Sequence, residues 1–334
     1  MYKKFLLSLI ITTVLFFTFV KFLNAQTKSA VNISVSPTSF EYNQYPGSTI
    51  KDKIRLKNNS RVPLNLEITI KKLAGSDINE TKMSNPGAGD QFVNWIKFDQ
   101  DVFTVAPGDY LDVPFTISIP SDAAFGYYWL FNISQNVSLK TQNGAGVVGA
   151  IGIPVLLQVK ANGANATALL NEFKVKNFIT EFLPADFSVK IQNTGNIHLK
   201  PRGNIFIRQG DKDIGILEVN QDLGSVLPGG TRNYEASWND GFLVRVKDKD
   251  DPKNSHLEFN WNKVTSFRIG KYTANLVMVY DNGKEDVTLE GSVNFWVFPY
   301  KIFGAILIVL ILIIVAIRFL IRRYINREIK KYRR

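Results

Sequence analysis

An apolar run near the C-terminus constrains this chain more than any other feature. Residues 302 to 317 read IFGAILIVLILIIVAI, without a charged side chain. With its flanks the segment reaches about 20 residues, enough for a helix to cross a hydrocarbon core of about 30 Å. The alternative, a buried core helix, would carry a polar face, and this segment is apolar on every side. The sequence therefore predicts a transmembrane helix at residues 298–320.

A basic tail, residues 321–334, follows the predicted span. From Arg318 to the end the chain carries eight Lys or Arg residues and one Glu. Because such residues are enriched on the cytoplasmic side, we expect a cytoplasmic tail and a single pass through the plasma membrane, with the N-terminal ectodomain outside. The residues that we expect at the membrane interface are Trp296, Tyr300, Lys301, Arg318, Arg322 and Arg323.

The other end of the chain has the layout of a secretory signal peptide at residues 1–25. Lys3 and Lys4 precede a long apolar stretch, and a small residue ends the segment. Lys21 and Leu23 make an imperfect cleavage site, so an uncleaved anchor is the alternative. Both interpretations leave the following residues outside the membrane.

The net charge of +11 lies almost entirely at the two ends of the chain. The tail from Arg318 contributes +7 and the first 25 residues contribute +3, which leaves +1 for residues 26–317. No basic patch remains to neutralise a phosphate backbone, so we expect no nucleic-acid partner. The chain also has no cysteine, which fits a bacterial surface better than a disulfide-stapled animal receptor.

Short strands and turns fill the region between the two ends. Leu64 to Ile70 and Phe187 to Ile191 alternate apolar and polar residues, as half-buried strands do. Gly/Pro turns between many such strands are typical of β-sandwiches. The sequence predicts an all-β fold, with two tandem Ig-like antiparallel β-sandwiches at residues 26–160 and 168–297 and one C-terminal transmembrane helix. The small polar residues 161–167 predict a linker.

Three sequence signals recur in the same order in both units. They are an Asn-rich bend, a Pro-Gly turn and a Gly-x-Tyr step into a late strand, at Asn58, Pro107-Gly108 and Gly126-x-Tyr128, then at Asn193, Pro228-Gly229 and Gly270-x-Tyr272. In Ig-like sandwiches a late tyrosine often bonds back to the backbone at a corner. We expect this structural role for Tyr128, two residues after Gly126, and for Tyr272, two residues after Gly270. Two plain buried aromatics are the alternative.

The sequence offers little chemistry for catalysis or metal binding. It has two histidines, His198 and His256, and no cysteine, which argues against a zinc site or a Cys/His nucleophile. The aspartates of residues 247–254 alternate with lysines, which favours a solvated hairpin tip over a calcium site. We therefore expect no catalytic, cofactor-binding or metal-binding residue, no cofactor and no enzymatic activity. A sugar-active enzyme is the least favoured alternative.

Several stretches resemble the WxL-interacting proteins of Gram-positive bacteria. These stretches are Val35–Thr38, Pro46-Gly47, Leu56–Asn58 and Ile119–Gly126. The order of signal peptide, two sandwiches, one span and a basic tail is also similar. Where we associate a glycine-rich stretch with that family, this chain has Tyr127-Tyr128-Trp129. The resemblance implies a peptidoglycan-binding first sandwich and a host-binding second sandwich.

These features predict a membrane-anchored bacterial cell-surface protein. We expect its ectodomain to bind a cell-wall polymer or a partner protein, in adhesion or as a scaffold, while the lipid bilayer holds the helix. An exposed edge strand or the polar loop Gly75 to Gln91 is the candidate recognition element. The alternative is a membrane-anchored assembly chaperone whose edge strand complements secreted subunits.

Overall fold

In the computed structural model the chain folds as two β-sandwiches followed by one long helix. The structure describes residues 32–76, 81–136, 149–248, 251 and 254–332. The predicted signal peptide, residues 1–25, lies outside the described residues, as do the last two residues of the tail. The predicted fold class is confirmed: two Ig-like β-sandwiches precede a C-terminal apolar helix.

The first sandwich packs two sheets against each other. Its strands are β1 (Ile33–Ser36), β2 (Phe40–Gln44), β3 (Thr49–Asn58), β4 (Leu64–Ala74), β5 (Lys82–Ser84), β6 (Ile96–Phe98), β7 (Val102–Val105), β8 (Tyr110–Ser118), β9 (Phe125–Gln135) and β10 (Ala150–Val159), with a 3-10 helix at Gln91–Trp95. One sheet has the order β1-β3-β8-β6 and the other β2-β10-β9-β4-β5, with β7 also paired to β4. Between the sheets Phe115 packs edge-on against Phe131, with ring centroids 5.1 Å apart.

The second sandwich repeats this plan with a smaller first sheet. Its strands are β11 (Ala168–Val175), β12 (Ile179–Thr180), β13 (Ala185–Asn193), β14 (Arg202–Gln209), β15 (Lys212–Val219), β16 (Thr231–Trp238), β17 (Leu243–Lys247), β18 (Ser255–Phe259), β19 (Gly270–Asp281) and β20 (Asp286–Val297), with a 3-10 helix at Trp261–Lys263. The sheets have the orders β11-β13-β16 and β12-β20-β19-β14-β15, and β17 and β18 form a separate hairpin. Trp238, Tyr272 and Phe295 fill the core between the sheets.

The sheets differ from the purely antiparallel prediction at one edge of each sandwich. β2 runs parallel to β10, and β12 runs parallel to β20. In both units the first strand is split, so that β1 and β11 join one sheet while β2 and β12 cross to the other. The crossing segment reaches the last strand of its unit in the same direction, and a parallel pairing results.

The predicted linker is bonded to the second sandwich. The backbone amide of Asn165 donates to the side-chain oxygen of Asn196 at 2.7 Å, and the Asn196 side chain donates to the carbonyl of Gly163 at 2.8 Å. Ala166 is buried in the second core. The connection between the sandwiches is therefore a bonded part of the second one.

Two buried asparagines have the same position in the two sandwiches. Asn58 and Asn193 end β3 and β13, and both have 0% of their surface exposed. The side-chain amide of Asn58 donates to the carbonyls of Val62 and Val105, at 2.8 and 2.9 Å. Its side-chain oxygen accepts from the backbone amide of Ser60 at 2.8 Å. One side chain thus closes the bend after β3 and ties it to the end of β7.

Asn193 makes the equivalent bonds in the second sandwich. Its side-chain amide donates to the carbonyls of Ile197 and Val226, both at 2.8 Å. Its side-chain oxygen accepts from the amide of Gly195 at 2.8 Å. Every hydrogen-bonding group of the buried amide is used, which is the condition under which a buried polar side chain stabilises a fold.

The predicted Pro-Gly turns bond to the backbone of these asparagines. Gly108 donates to the carbonyl of Asn58 at 2.9 Å, and Gly229 donates to that of Asn193 at 3.0 Å. The turn glycines have φ values of +78° and +70°, a left-handed conformation that other residues adopt at a cost. The bend and the turn, which are far apart in sequence, are therefore one structural unit in each sandwich.

A single helix, α1 (Tyr300–Tyr332), follows the second sandwich. Its residues Tyr300–Arg323 are long and apolar enough to cross a membrane, and none of that candidate span is buried by the rest of the chain. The helix begins two residues after the predicted start of the span and continues into the predicted tail, because that tail has no Pro or Gly to end it.

Replacement of Asn193 by alanine tests the importance of this interaction. Asn193→Ala removes the side-chain donor to the carbonyls of Ile197 and Val226 and the acceptor of the Gly195 amide, and we expect the free energy of unfolding to fall by about 2–3 kcal/mol. The matched control is Asn171→Ala, because Asn171 is an exposed residue of β11. Urea denaturation in detergent micelles, followed by tryptophan fluorescence, measures both, and equal losses of stability would contradict the assignment.

Candidate functional site

The second sandwich has an open sheet edge where the first has a closed one. Asn58 donates to the carbonyl of Asp109, and Asn193 donates to that of Gly230, so Tyr110 of β8 corresponds to Thr231 of β16. β8 pairs with β3 on one side and with β6 on the other. β16 pairs with β13, and within the described ranges no strand pairs with its other side. Thr231, at the start of β16, bonds to the first sandwich, so the open part of this edge is residues 235–238.

The backbone of β16 directs hydrogen-bonding groups to this open side. The amide of Thr231 donates away from β13, to the carbonyl of Ser76 in the first sandwich at 2.9 Å. Alternate residues of an antiparallel strand direct their amides to the same side. The amides of Glu235 and Ser237 therefore point away from β13. At the position of Glu235 the first sandwich has Pro114, which has no amide to offer.

A groove of about 520 Å³ lies between β16 and the neighbouring edge strand β15. β15 ends the other sheet, so the groove separates two eight-residue edges. The acidic residues Glu218, Asp222 and Glu235 line it together with one base, Arg232. Ile216 adds an apolar side chain that is 64% exposed. The groove has the dimensions of an extended chain and an acidic lining.

Arg232 and Tyr234 hold the floor of the groove in place. The Tyr234 hydroxyl donates to the carbonyl of Gly224 at 3.1 Å, and the Arg232 guanidinium donates to that of Ser225 at 3.0 Å. The Arg232 guanidinium lies 5.6 Å from the centre of the Tyr234 ring. Burial raises the pKa of Tyr234, although the Arg232 charge opposes this, so the phenol remains a neutral donor.

A second recess, of about 280 Å³, lies in the first sandwich. Trp95 and Tyr127 meet there at a ring-centroid distance of 4.6 Å, and both are half-exposed. On the same wall the Lys72 ammonium donates to the Asp90 carboxylate at 2.5 Å. The hydrogen bonds that Asp90 accepts from Lys72 and from the Gly87 amide lower its pKa. Residues 89–91 belong to the predicted recognition loop, Gly75 to Gln91, whose residues 77–80 lie outside the described ranges. Aromatic faces beside charged groups suit a sugar ring.

Tyr128 has a different partner from the one expected for a tyrosine corner. Its hydroxyl accepts a hydrogen bond from the backbone amide of His198, in the second sandwich, at 2.6 Å. The ring lies along the strand over Gly126, where a Cβ would collide with the Tyr128 hydroxyl. Gly126 thus clears the path by which Tyr128 reaches the other sandwich, and the residue connects two domains instead of one corner.

Tyr272 bonds within its own sandwich. Its hydroxyl lies 3.3 Å from the carbonyl of Ile269, to which it donates. Gly270 has a φ of +122°, and a Cβ there would approach the side-chain nitrogen of Gln209 to 2.9 Å. The two Gly-x-Tyr steps are therefore similar in sequence and different in their contacts.

A cluster of ionisable side chains adjoins the Tyr128 bond. The His198 ring nitrogen Nε2 lies 3.1 Å from Glu41 of β2, and the Lys200 ammonium also contacts this carboxylate. Burial lowers the pKa of His198, and Glu41 only partly offsets the effect. Burial alone would raise the pKa of Glu41, but the bonds from Lys200 and His198 lower it. The His198 nitrogen Nδ1 is buried without a hydrogen-bond partner among the described residues.

The predicted membrane-interface residues lie on the last strand and on α1. Trp296 is 40% exposed near the end of β20, and Tyr300 begins the helix. The Lys301 ammonium donates to the Glu181 carboxylate at 2.8 Å. Arg318, Arg322 and Arg323 are exposed near the C-terminal end of the candidate span. Among the described residues no group of three or more acidic or histidine side chains is placed to hold a metal ion.

The sequence signals did not identify the open edge. β16 alternates less regularly than β13, and in the part of the chain that the structure describes no strand takes the position of β6 beside it. The one usable sign was the contrast between Pro114 and Glu235 at equivalent positions, which becomes visible only after the two units are aligned on Asn58 and Asn193.

Comparisons with known proteins find distant structural similarities. No family model matches the chain, and no curated protein matches it. The class 5 fimbriae chaperone CfaA is 9% identical, with a TM-score of 0.37 over 78% of this chain and 98% of that one. The CupB2 chaperone of Pseudomonas aeruginosa is 10% identical, with a TM-score of 0.35 over 78% of this chain and 100% of that one.

A third similar structure is the CsuC–CsuE chaperone–tip adhesion subunit complex of Acinetobacter baumannii. It is 12% identical, with a TM-score of 0.34 over 60% of this chain and 89% of that one. Identities and scores this low carry no information about activity. The class that the fold defines is a two-domain Ig-like β-sandwich protein with one candidate membrane span.

Protonation of His198 is expected to weaken the contact between the sandwiches. Because burial lowers its pKa in the folded chain, the unfolded chain binds this proton more readily, near a pH of about 6.5. Stability should be complete above that pH and fall as the pH decreases towards the folded pKa. Glu41, whose pKa is lowered, adds its own loss only at more acidic pH.

Thermal unfolding between about pH 5 and 7 measures this effect. His198→Asn should flatten the pH dependence in that window. His256→Gln is the control, since His256 is the other histidine and is exposed. An unchanged pH dependence in His198→Asn would remove His198 as its source.

Proposed function

We propose that this chain is a membrane-anchored binding protein that takes an extended segment of a partner polypeptide at the open edge of its second sandwich. The observation that carries the proposal is a contrast between equivalent strands: β6 covers residues 115–117 of β8, whereas no described strand covers the equivalent residues 236–238 of β16, which lie above a groove. An unpaired strand edge is a template for another strand, and natural proteins normally protect such edges. We therefore interpret the open edge of β16 as a binding site.

Main-chain hydrogen bonds would supply the affinity. The outward amides of Glu235 and Ser237 offer donors to a strand laid along β16, and side chains of that strand would enter the groove alternately. Three carboxylates against one guanidinium favour a segment with lysine or arginine side chains. This is the mode of an assembly chaperone for secreted subunits, and it also suits a scaffold that holds a mature partner.

The expected location supports this function. The apolar helix would hold the sandwiches at the membrane, and the basic residues after the span would keep its C-terminal end in the cytoplasm. The sandwiches would then meet polypeptides as they leave the cell.

A second candidate function is binding of a cell-wall glycan. The Trp95–Tyr127 pair in the first sandwich offers aromatic faces beside the Lys72–Asp90 ion pair. The resemblance to WxL-interacting proteins implies a peptidoglycan-binding role for the same domain. The two functions use different sandwiches, so one chain can have both.

Proline at position 235 tests the polypeptide proposal. Glu235→Pro removes the outward amide, and the equivalent Pro114 of β8 indicates that this framework accepts a proline there. Loss of one net hydrogen bond of about 1 kcal/mol, with a proline ring in the path of the strand, should weaken binding about 5- to 10-fold. The matched control is Glu235→Ala, which keeps the amide and should bind more tightly than the proline variant.

An array of 12-residue peptides from proteins secreted by the same cell, probed with the detergent-solubilised chain, supplies the ligands. Affinities of the wild type and both variants are then measured on the peptides that bind. Equal affinity of Glu235→Pro and Glu235→Ala, with unfolding midpoints unchanged, would dismiss strand addition at β16.

Trp95→Ala separates the glycan function from the polypeptide function. Because one stacking face is lost, the affinity for purified peptidoglycan should fall about 5- to 10-fold, as measured in a sedimentation assay. Peptide binding at β16 should be unaffected. If the wild type and the Trp95→Ala variant sediment equally with peptidoglycan, the recess is not the glycan site.

A further inference from the structure

An exposed aromatic cluster lies on the β17–β18 hairpin and the segment that follows it. The base cluster, as we call it, consists of Phe242, Phe259, Trp261, Val264 and Phe267. Four of its members are exposed by more than half: Trp261 by 73%, Val264 by 54%, Phe267 by 53% and Phe259 by 52%. A patch of large exposed apolar side chains marks an interaction site for a protein, a ligand or a membrane.

The cluster is ordered by its own contacts. The Phe242 ring lies 5.7 Å from that of Phe259, 5.5 Å from that of Trp261 and 6.4 Å from that of Phe267. Phe259 and Trp261 are stacked, with their planes 20° apart. The amide of Asn260 donates to the carbonyl of Phe242 at 2.7 Å. These aromatic side chains are held in place and turned outward.

The strand that leads into the cluster has one apolar face. Alternation along β18 places Leu257 and Phe259 on one face and His256 and Glu258 on the other. The charge nearest to the cluster is compensated, because the Asp240 carboxylate contacts both Lys263 and Arg268. The Lys263 bond lowers the pKa of Asp240 although burial opposes it, so the pair stays ionised. An apolar face with paired charges behind it fits a lipid surface.

The position of the cluster indicates that its binding partner is a lipid surface. The Glu181 carboxylate contacts Lys301 of α1 at 2.8 Å and Arg245 of β17 at 3.7 Å, so one side chain links the hairpin to the first turn of the helix. Phe267 and Pro299, the residue before the helix, line the same small cavity. The cluster therefore lies beside the point where the chain enters its candidate span.

We propose that the base cluster is a second membrane contact, which inserts its aromatic side chains into the interfacial region of the leaflet that faces the sandwiches. Tryptophan and phenylalanine at this depth are typical of interfacial anchors. The inference rests on the proposed membrane span of α1. With two contacts the second sandwich cannot rotate freely about the helix, and β16, which leads directly into the hairpin, keeps a fixed orientation to the membrane.

The absence of cysteine makes a labelling test direct. Three single-cysteine variants of the full chain, Val264→Cys, Ile308→Cys and Val62→Cys, are labelled with an environment-sensitive fluorophore and reconstituted in phosphatidylcholine–phosphatidylglycerol vesicles. Val264 and Val62 are matched, with exposures of 54% and 50%, and Val62 lies in the first sandwich. Ile308 reports on the helix alone.

Lipids that carry a shallow nitroxide should quench the label at position 264 about twofold or more over the label at position 62. The label at position 308 should respond to deep nitroxides. Equal quenching at 264 and 62, with 308 in lipid, would overturn the second contact and leave the anchor intact. A label at 308 that no nitroxide quenches would overturn the anchor itself. A response at 264 that appears only at high protein-to-lipid ratio would indicate contact between copies and would also overturn the proposal.

Discussion

One buried asparagine side chain supports the frame of each sandwich. Asn58 and Asn193 each use both amide hydrogens and the side-chain oxygen, while their backbones bond to the Pro-Gly turn. These bonds are kept because a buried polar group that loses its partner is costly. They hold together a bend and a turn that start the next strands of opposite sheets. The start of β8 relative to β3, and of β16 relative to β13, is fixed by this connection.

The same frame has opposite edges in the two units. In the first sandwich, β6 covers part of β8, and Pro114 has no outward amide. In the second sandwich, the amides of Glu235 and Ser237 point to the open side of β16. The backbone of Thr231 and the hydroxyl of Tyr128 meanwhile bond the sandwiches to each other. The first sandwich thus supports the beginning of the β16 edge and leaves its later part accessible.

The end of the second sandwich next to α1 combines three features that are separate in sequence. Trp296 and Tyr300 lead into α1, Glu181 bonds to the helix and to the hairpin, and the base cluster lies beside them. In the proposed arrangement, main-chain continuity between β16 and the hairpin would keep the groove near the membrane surface. A protein that receives chains as they emerge from the membrane would benefit from this arrangement, because its binding edge would remain near the point of exit.

Local patterns in the sequence determined the fold class. The apolar run that ends at Ile317, the period-two alternation and the repeated Asn, Pro-Gly and Gly-x-Tyr signals are short-range features, and each predicted its element. The partners of those elements were decided by tertiary structure. Tyr128 and Tyr272 follow the same motif, yet one bonds across to His198 and the other to its own corner. The open edge of β16 depends on the strand order of its sheet, in which no described strand follows β16, and the base cluster depends on rings brought together by the hairpin. Contacts between residues distant in sequence arise only when the chain packs, so no local pattern records them.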